Sequence, residues 1–220
     1  MHTNYIHNLS ETPSVANYFL SQLRNVHTQG NRFLFRKNVE RLGNIMAYEI
    51  SKFLEFKQVD VETPLGIANM GVPASDLVLC TILRAGLPLH YGLLEYFDQA
   101  DNAFIAAYRK NHKDGTFEIN LEYITCPDLN NRVLVLVDPM LATGASIIKT
   151  LDYLSEYGKF SQLHIVSVLA SSYGIKQLQR LYPKAHIWMA AEDEELTAKS
   201  YIVPGLGDAG DLSFGRKRQE

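Results

Sequence analysis

Cysteine is scarce, with two in 220 residues, and Cys80 and Cys126 show neither a CxxC spacing nor a multi-cysteine framework. A disulfide-built scaffold and a cysteine zinc site are therefore excluded, and both are expected as buried free thiols. A basic surplus is also missing: 21 Lys and Arg stand against 24 Asp and Glu, a formal net charge of -3. That balance argues against an extended nucleic-acid surface, which needs many cations along a phosphate backbone, but leaves a small anionic substrate open. The longest strongly apolar run, Val133 to Val137, is far too short to span a bilayer. The first residues, Met1-His-Thr-Asn-Tyr-Ile-His7, lack the basic and apolar stretches of a signal peptide, so a soluble cytoplasmic protein is expected. No repeat or Pro/Gly/Ser-rich linker divides the chain, and 1–220 reads as one domain. The seven histidines show no HxH or HExxH spacing, and there is no Walker loop, GxGxxG turn or nucleophile elbow.

What is present is enough apolar material, 46% of residues, to fill a substantial core. Residues 17–24 look helical, and 33–53 carries Phe35, Val39, Leu42, Ile45, Met46 and Ile50 at the spacing of one helical face. From Leu77 onward short apolar runs alternate with amphipathic stretches, which favours parallel strands joined by crossover helices. Strands are expected at 77–83, 103–108, 133–137, 163–170 and 185–190, with helices at 88–96, from the 140s to about 157, and at 173–182. Asp114-Gly115 marks a tight turn, making 108–123 a candidate hairpin. Ligands of such sheets bind outside the carboxyl ends of the strands, so candidate site residues should follow those runs.

The most informative stretch joins Val133-Leu-Val-Leu-Val137 to Asp138-Pro-Met-Leu-Ala-Thr-Gly-Ala-Ser146. A buried strand ends in an acid, and a small-residue turn then opens a helix. Backbone N–H groups of residues 143–146, unsatisfied at a helix start, would point at an anion, with the Thr143 and Ser146 hydroxyls as further donors. An ordinary helix cap accounts for such a loop as well. The longer string is sharper and resembles the phosphoribosyl diphosphate (PRPP) loop of the phosphoribosyltransferases, specifically the uracil branch, in which proline follows the acid. Where that family usually has Gly-Gly-Ser, this chain has Gly144-Ala145-Ser146, and a helical φ is expected at Ala145.

The resemblance extends through Leu23-Arg24, Phe35-Arg36, 41–49, Ile82-Leu-Arg-Ala-Gly86, Gly92-Leu-Leu-Glu95 and Tyr108-Arg109. It ends with Tyr201-Ile-Val-Pro-Gly-Leu-Gly-Asp-Ala-Gly-Asp211 and Phe214-Gly215, similar to the family's uracil loop. It implies an α/β fold: a phosphoribosyltransferase-type parallel sheet flanked by helices, with an N-terminal helical arm over 1–60, a hairpin flap over 105–125 and a uracil-binding loop over 200–215. The implied reaction is pyrimidine salvage, in which the phosphoribosyl group of PRPP passes to N1 of uracil, giving UMP and diphosphate. PRPP contacts are implied at Arg84, Arg109, Asp138, Pro139, Met140, Leu141, Ala142, Thr143, Gly144, Ala145, Ser146 and Asp208. Uracil contacts are implied at Tyr201, Ile202, Gly207, Asp208 and Ala209, with Asp208, Arg84 and Arg109 as the catalytic set.

Each arginine can also be read as a surface side chain snorkelling over the sheet end. Magnesium is implied as cofactor, held through PRPP and water and not by direct protein ligands. Implied partners are the two substrates, a GTP effector and further copies of the chain as a homodimer or higher homo-oligomer. Two rivals remain at this level: an enzyme for another base, such as a purine or orotate, and a regulatory module of the same fold that senses UMP or binds RNA. Asp-Pro in the loop, Gly-Leu-Gly-Asp-Ala near the end and the acidic balance weigh against them.

Overall fold

The computed structural model describes residues 5–111 and 117–217, and the side chains of 107–122 lie outside the described set. The chain opens with β1 (Ile6–Asn8) and then builds α1 (Val15–Arg24) and α2 (Arg32–Ser51). Ser14 caps α1 through its side chain, accepting from the Ala16 amide, and Asn31 caps α2 by accepting from the Leu34 amide. β2 (Phe56–Thr63) and β3 (Gly66–Pro73) form a two-stranded hairpin of their own. β4 (Leu77–Leu83), α3 (Leu87–Leu94) and β5 (Asp101–Asn111) make the first crossover unit, and β6 (Phe117–Thr125) returns antiparallel beside β5. β7 (Val133–Val137), the two-residue β8 (Met140–Leu141), α4 (Ala145–Leu154), β9 (Gln162–Ser171), α5 (Ser172–Leu181) and β10 (His186–Asp193) continue the pattern. The chain then forms β11 (Glu195–Leu196), β12 (Ile202–Val203) and α6 (Ala209–Phe214).

The main sheet runs β1-β10-β9-β7-β4-β5-β6, with β8 pairing β9, and is parallel except at β5–β6. β7 is buried at all five positions, and β4 and β9 are buried along nearly their whole length. Such strands are covered on both faces, which is why they read as continuous apolar runs without alternation. Successive side chains serve opposite layers. Leu79, Val135 and Val137 join α1, α2 and α3 in one core, while Cys80, Leu134 and Leu136 join α4 and α5 in the other.

The order places β5 on one side of β4 and β7 on the other. Connections therefore diverge between β4 and β7, and a crevice opens where the carboxyl ends of these neighbours separate. The strands expected from the sequence are found, as are the helices, with boundaries shifted by a few residues. Further elements are additional: β1 extends the main sheet from within the N-terminal arm, β2–β3 follows α2, β8 lies in the turn after β7, and β11, β12 and α6 follow β10. The hairpin expected over 108–123 is β5 with β6; its Asp114-Gly115 turn lies outside the described residues. Cys80 is buried and Cys126 half-buried, and both are free thiols.

Candidate active site

Asp138 follows β7, and its Oδ1 accepts a hydrogen bond from the Met140 amide at 3.2 Å, turning the chain sharply at the strand end. The turn is then sewn back to the sheet. The Pro139 carbonyl accepts from the Val168 and Leu169 amides, each at 3.0 Å, and Met140 and Leu141 pair with Leu169 and Ala170. Residues 138 and 140–147 line one concave cradle. Gly144, with φ +79°, is the cap preceding α4, and only at this position of the cradle is a left-handed conformation required. Ala145 is the first residue of α4, so its methyl group meets no backbone constraint. Its amide donates to Thr143 Oγ1 at 3.3 Å, and Ile148 is the first to bond back, to the Gly144 carbonyl at 2.9 Å. The intervening first-turn amides lack intrahelical partners, which together with the helix dipole makes an anion site.

A buried support under this cradle was not apparent in the sequence. Ser171, at the end of β9, donates its hydroxyl to the Ala142 carbonyl and accepts from the Gly174 amide at 2.9 Å.

Arg84 leaves the end of β4 beside the same crevice. It is 45% exposed, with Nη2 at 3.5 Å from Asp211 Oδ1 and at 3.3 Å from the Gly215 carbonyl. These are long contacts on a side chain with room to swing. The backbone of Arg109 lies on β5 three residues beyond Ala106, the last residue paired with β4, where β5 pairs with β6 alone. Its side chain lies outside the described residues. So does that of Lys110, and the whole of Lys113.

The base-loop candidates reach the crevice from the far end of the chain. β11 and β12 pair antiparallel and direct residues 204–208 toward α6. Asp208 caps α6: Oδ1 accepts from the Asp211 amide at 3.0 Å, and Oδ2 lies 3.8 Å from Lys217 Nζ. Lys217, three residues past the end of α6, thus stands beside the carboxylate. Ile202 and Ala209 turn their side chains into the core at 5% and 4% exposure, whereas Tyr201 is exposed.

Three segments meet here. A Cβ built on Gly210 would lie 3.7 Å from that of Ala85, and one on Gly86 would lie 3.1 Å from the Val137 carbonyl. The Arg84 turn is therefore wedged between the phosphate cradle and the base loop.

The N-terminal helices hold the base loop from outside. Arg36 donates to the Ser213 carbonyl at 2.6 Å and lies 5.9 Å over the Phe214 ring. Arg24 pairs with Asp193 and also reaches the Gly205 carbonyl at 3.1 Å. The strings that carry the sequence resemblance include Arg24 and Arg36 without giving them a role, and Asp193 falls outside those strings. A buried acid at a strand end is the signal that could have found it. Among the described residues no group of three or more His, Cys, Asp or Glu side chains gathers to hold a metal. No described helix is long and apolar enough to cross a membrane.

A doubly covered parallel sheet whose switch point carries an acid-ended strand turning into a helix-start cradle is the arrangement of the phosphoribosyltransferase class of α/β proteins, and proline after the acid marks its uracil branch. The uracil phosphoribosyltransferase family model matches residues 10–216. A uracil phosphoribosyltransferase from Porphyromonas gingivalis is 47% identical over 205 residues, covering 93% of this chain and 95% of the relative. One from Thermococcus gammatolerans is 37% identical over 96% of this chain and 93% of its own length. The solved AQ2163 protein from Aquifex aeolicus superposes with a TM-score of 0.85 at 27% identity, over 96% of this chain and 98% of that one. The chain belongs to the uracil phosphoribosyltransferase family.

Proposed function

We propose that the crevice joining β4, β7 and α6 transfers the 5-phosphoribosyl group of PRPP to N1 of uracil, releasing diphosphate and forming UMP. The observation that carries this reading is the convergence of the phosphate cradle, the Arg84 turn and the base loop at one switch point. The 5-phosphate of PRPP sits on the amides of the cradle, residues 138–146, where a helix start favours negative charge. Arg84 and Arg109 neutralise the diphosphate as it leaves, and a planar guanidinium suits that task.

Uracil is read by main-chain groups of Ile202, Gly207 and Ala209, with Tyr201 shaping the pocket. Its N3–H donor lies between two carbonyl acceptors, whereas cytosine has an acceptor at N3 and an amine at C4. Fixed backbone donors and acceptors would leave cytosine with unpaired buried groups. Asp208, fixed through Oδ1, offers its other oxygen to the reacting centre, where it either takes the N1 proton or stabilises positive charge on the ribose. Exclusion of water protects PRPP from hydrolysis, and the flap role carried over from the family resemblance to the β5–β6 hairpin would provide it.

A hard oxygen-binding cation such as magnesium would be held through PRPP oxygens and water, with the Asp138 carboxylate available to orient that water. When bound, it supplies charge neutralisation on the diphosphate. The enzyme is read as cytoplasmic, and its two free thiols suit a reducing compartment. It is also read as a homodimer or higher homo-oligomer, supported by the exposed apolar side chains of β2–β3, including Phe56, Ile67 and Met70. GTP as an effector is carried over from the family resemblance.

Purified protein given PRPP and magnesium with uracil, cytosine, hypoxanthine or orotate tests the reading. UMP formation from uracil should exceed turnover of each other base by at least about a hundredfold. Faster turnover of hypoxanthine or orotate would overturn it.

A further inference from the structure

Asp193, the last residue of β10, is a buried carboxylate at 6% exposure; its backbone pairs with Ser171 of β9, while the hydrogen bonds of its side chain lead to one point of the base loop. Its Oδ1 accepts from Arg24 Nη2 at 2.7 Å, and its Oδ2 accepts from Arg24 Nη1 at 2.8 Å and from the Gly205 amide at 2.9 Å. Arg24 Nη1 also donates to the Gly205 carbonyl at 3.1 Å. Both polar main-chain groups of Gly205 are thus held by one bidentate ion pair whose members lie 169 residues apart in sequence. Gly205 has φ +59°, and a Cβ there would collide with the Ile202 carbonyl, so the loop doubles back tightly at the clamped residue. Gln29 adds a contact from the same side, donating to the Leu206 carbonyl at 3.3 Å.

We propose that Arg24 and Asp193 are positioning residues for base recognition, fixing the register in which residues 205–207 present main-chain groups to uracil. The inference rests on the reading of 201–209 as the base loop. A fork of two parallel charge-assisted bonds holds orientation as well as distance, and neither partner can leave without stranding the other. The phosphate cradle takes its support instead from β9 through Pro139 and Ser171. Loss of the pair should therefore be felt by uracil and not by PRPP.

Steady-state kinetics of Asp193→Asn and Arg24→Lys, varying each substrate in turn, test the pair, alongside hydrogen exchange of the wild-type protein with and without UMP. Both variants should raise the KM for uracil roughly tenfold while the KM for PRPP stays within about twofold, because a small misplacement of contacts is costly. The lysine variant keeps the charge without the fork and serves should the asparagine variant not fold. In the wild type, UMP should slow exchange of the amides over 202–209. Absence of that protection overturns the base-loop reading and the inference with it. Protection together with an unchanged uracil KM, or with equal rises for both substrates, overturns the positioning role alone.

Discussion

Asp208 combines a structural task with the chemical one proposed for it, and the two can be separated by a single atom. Its Oδ1 caps α6, and asparagine caps a helix about as well as aspartate. Asp208→Asn should therefore preserve the fold and the melting temperature while lowering kcat for UMP formation by roughly a hundredfold or more, within the range expected for lost acid–base or charge stabilisation. An unchanged kcat would remove this carboxylate from the reacting centre. Ser171 offers the complementary case, since it is not itself a proposed substrate contact but its hydroxyl bridges the carbonyl of Ala142, within the proposed PRPP cradle, and the Gly174 amide. Ser171→Ala strands both buried groups, a cost of about 1–3 kcal/mol. The KM for PRPP should rise with little change in that for uracil, and Ser171→Thr, which keeps the hydroxyl, should restore it. Equal KM values in the alanine and wild-type proteins would show that the cradle does not lean on this bridge.

At the scale of elements, the sequence was legible wherever a site is built from consecutive residues. The cradle is one string from Asp138 to Ser146, and its helical φ at Ala145 follows from Gly144 taking the left-handed position beside it. What could not be read is assembled across distance: Asp193 and Arg24 belong to β10 and α1, and no local pattern ties them to Gly205. β1, with three residues, is too short to display a period. β2 carries only a short alternation, Val59-Asp-Val-Glu-Thr63, β3 carries none, and neither face of the hairpin is buried, so the usual strand signal is weak. A two-stranded hairpin on its own is marginally stable, and one that exposes Phe56, Val61, Leu65, Ile67 and Met70 needs a cover. A second copy of the chain supplies it in the homo-oligomer reading. Ile67→Lys combined with Met70→Lys should then lower the mass measured by light scattering toward that of a single chain. An unchanged mass would remove the hairpin from the contact.

Across the whole molecule, histidines scattered in sequence meet at one edge of the sheet. His7 on β1 stacks on Trp188 with ring centroids 3.8 Å apart, and its Nε2 lies 3.0 Å from His186 Nδ1. His164 accepts from the Trp188 indole at 3.0 Å, and Phe53, after α2, packs edge-on against His7 and Trp188. The cluster joins the N-terminal strand to the last strands of the sheet and to the arm. Burial disfavours the charged imidazoles: His7 is lowered to about 4 and His164 to about 3, each by desolvation and then by repulsion from His186, while desolvation also lowers His186. Glu49 opposes the shift at His7 without reversing it.

Above the ordinary value of 6.5 these rings are neutral both folded and unfolded, so they give no pH dependence there. Below 6.5 the unfolded chain binds protons that the folded chain refuses, and stability falls as pH drops, toward about 4 for His7 and about 3 for His164. At pH 5.5 the shielded His164 alone would account for about 1 kcal/mol, with a smaller share from the more exposed His7 because water screens it. Melting temperature should therefore decline by roughly 2–4 °C between pH 7.5 and 5.5 from this residue, given about 2–4 °C per kcal/mol for a chain of this size. His164→Gln should melt lower than wild type at pH 7.5 but lose less on acidification. Parallel pH profiles in the two proteins would show that the histidine edge does not set the acid limit of the fold.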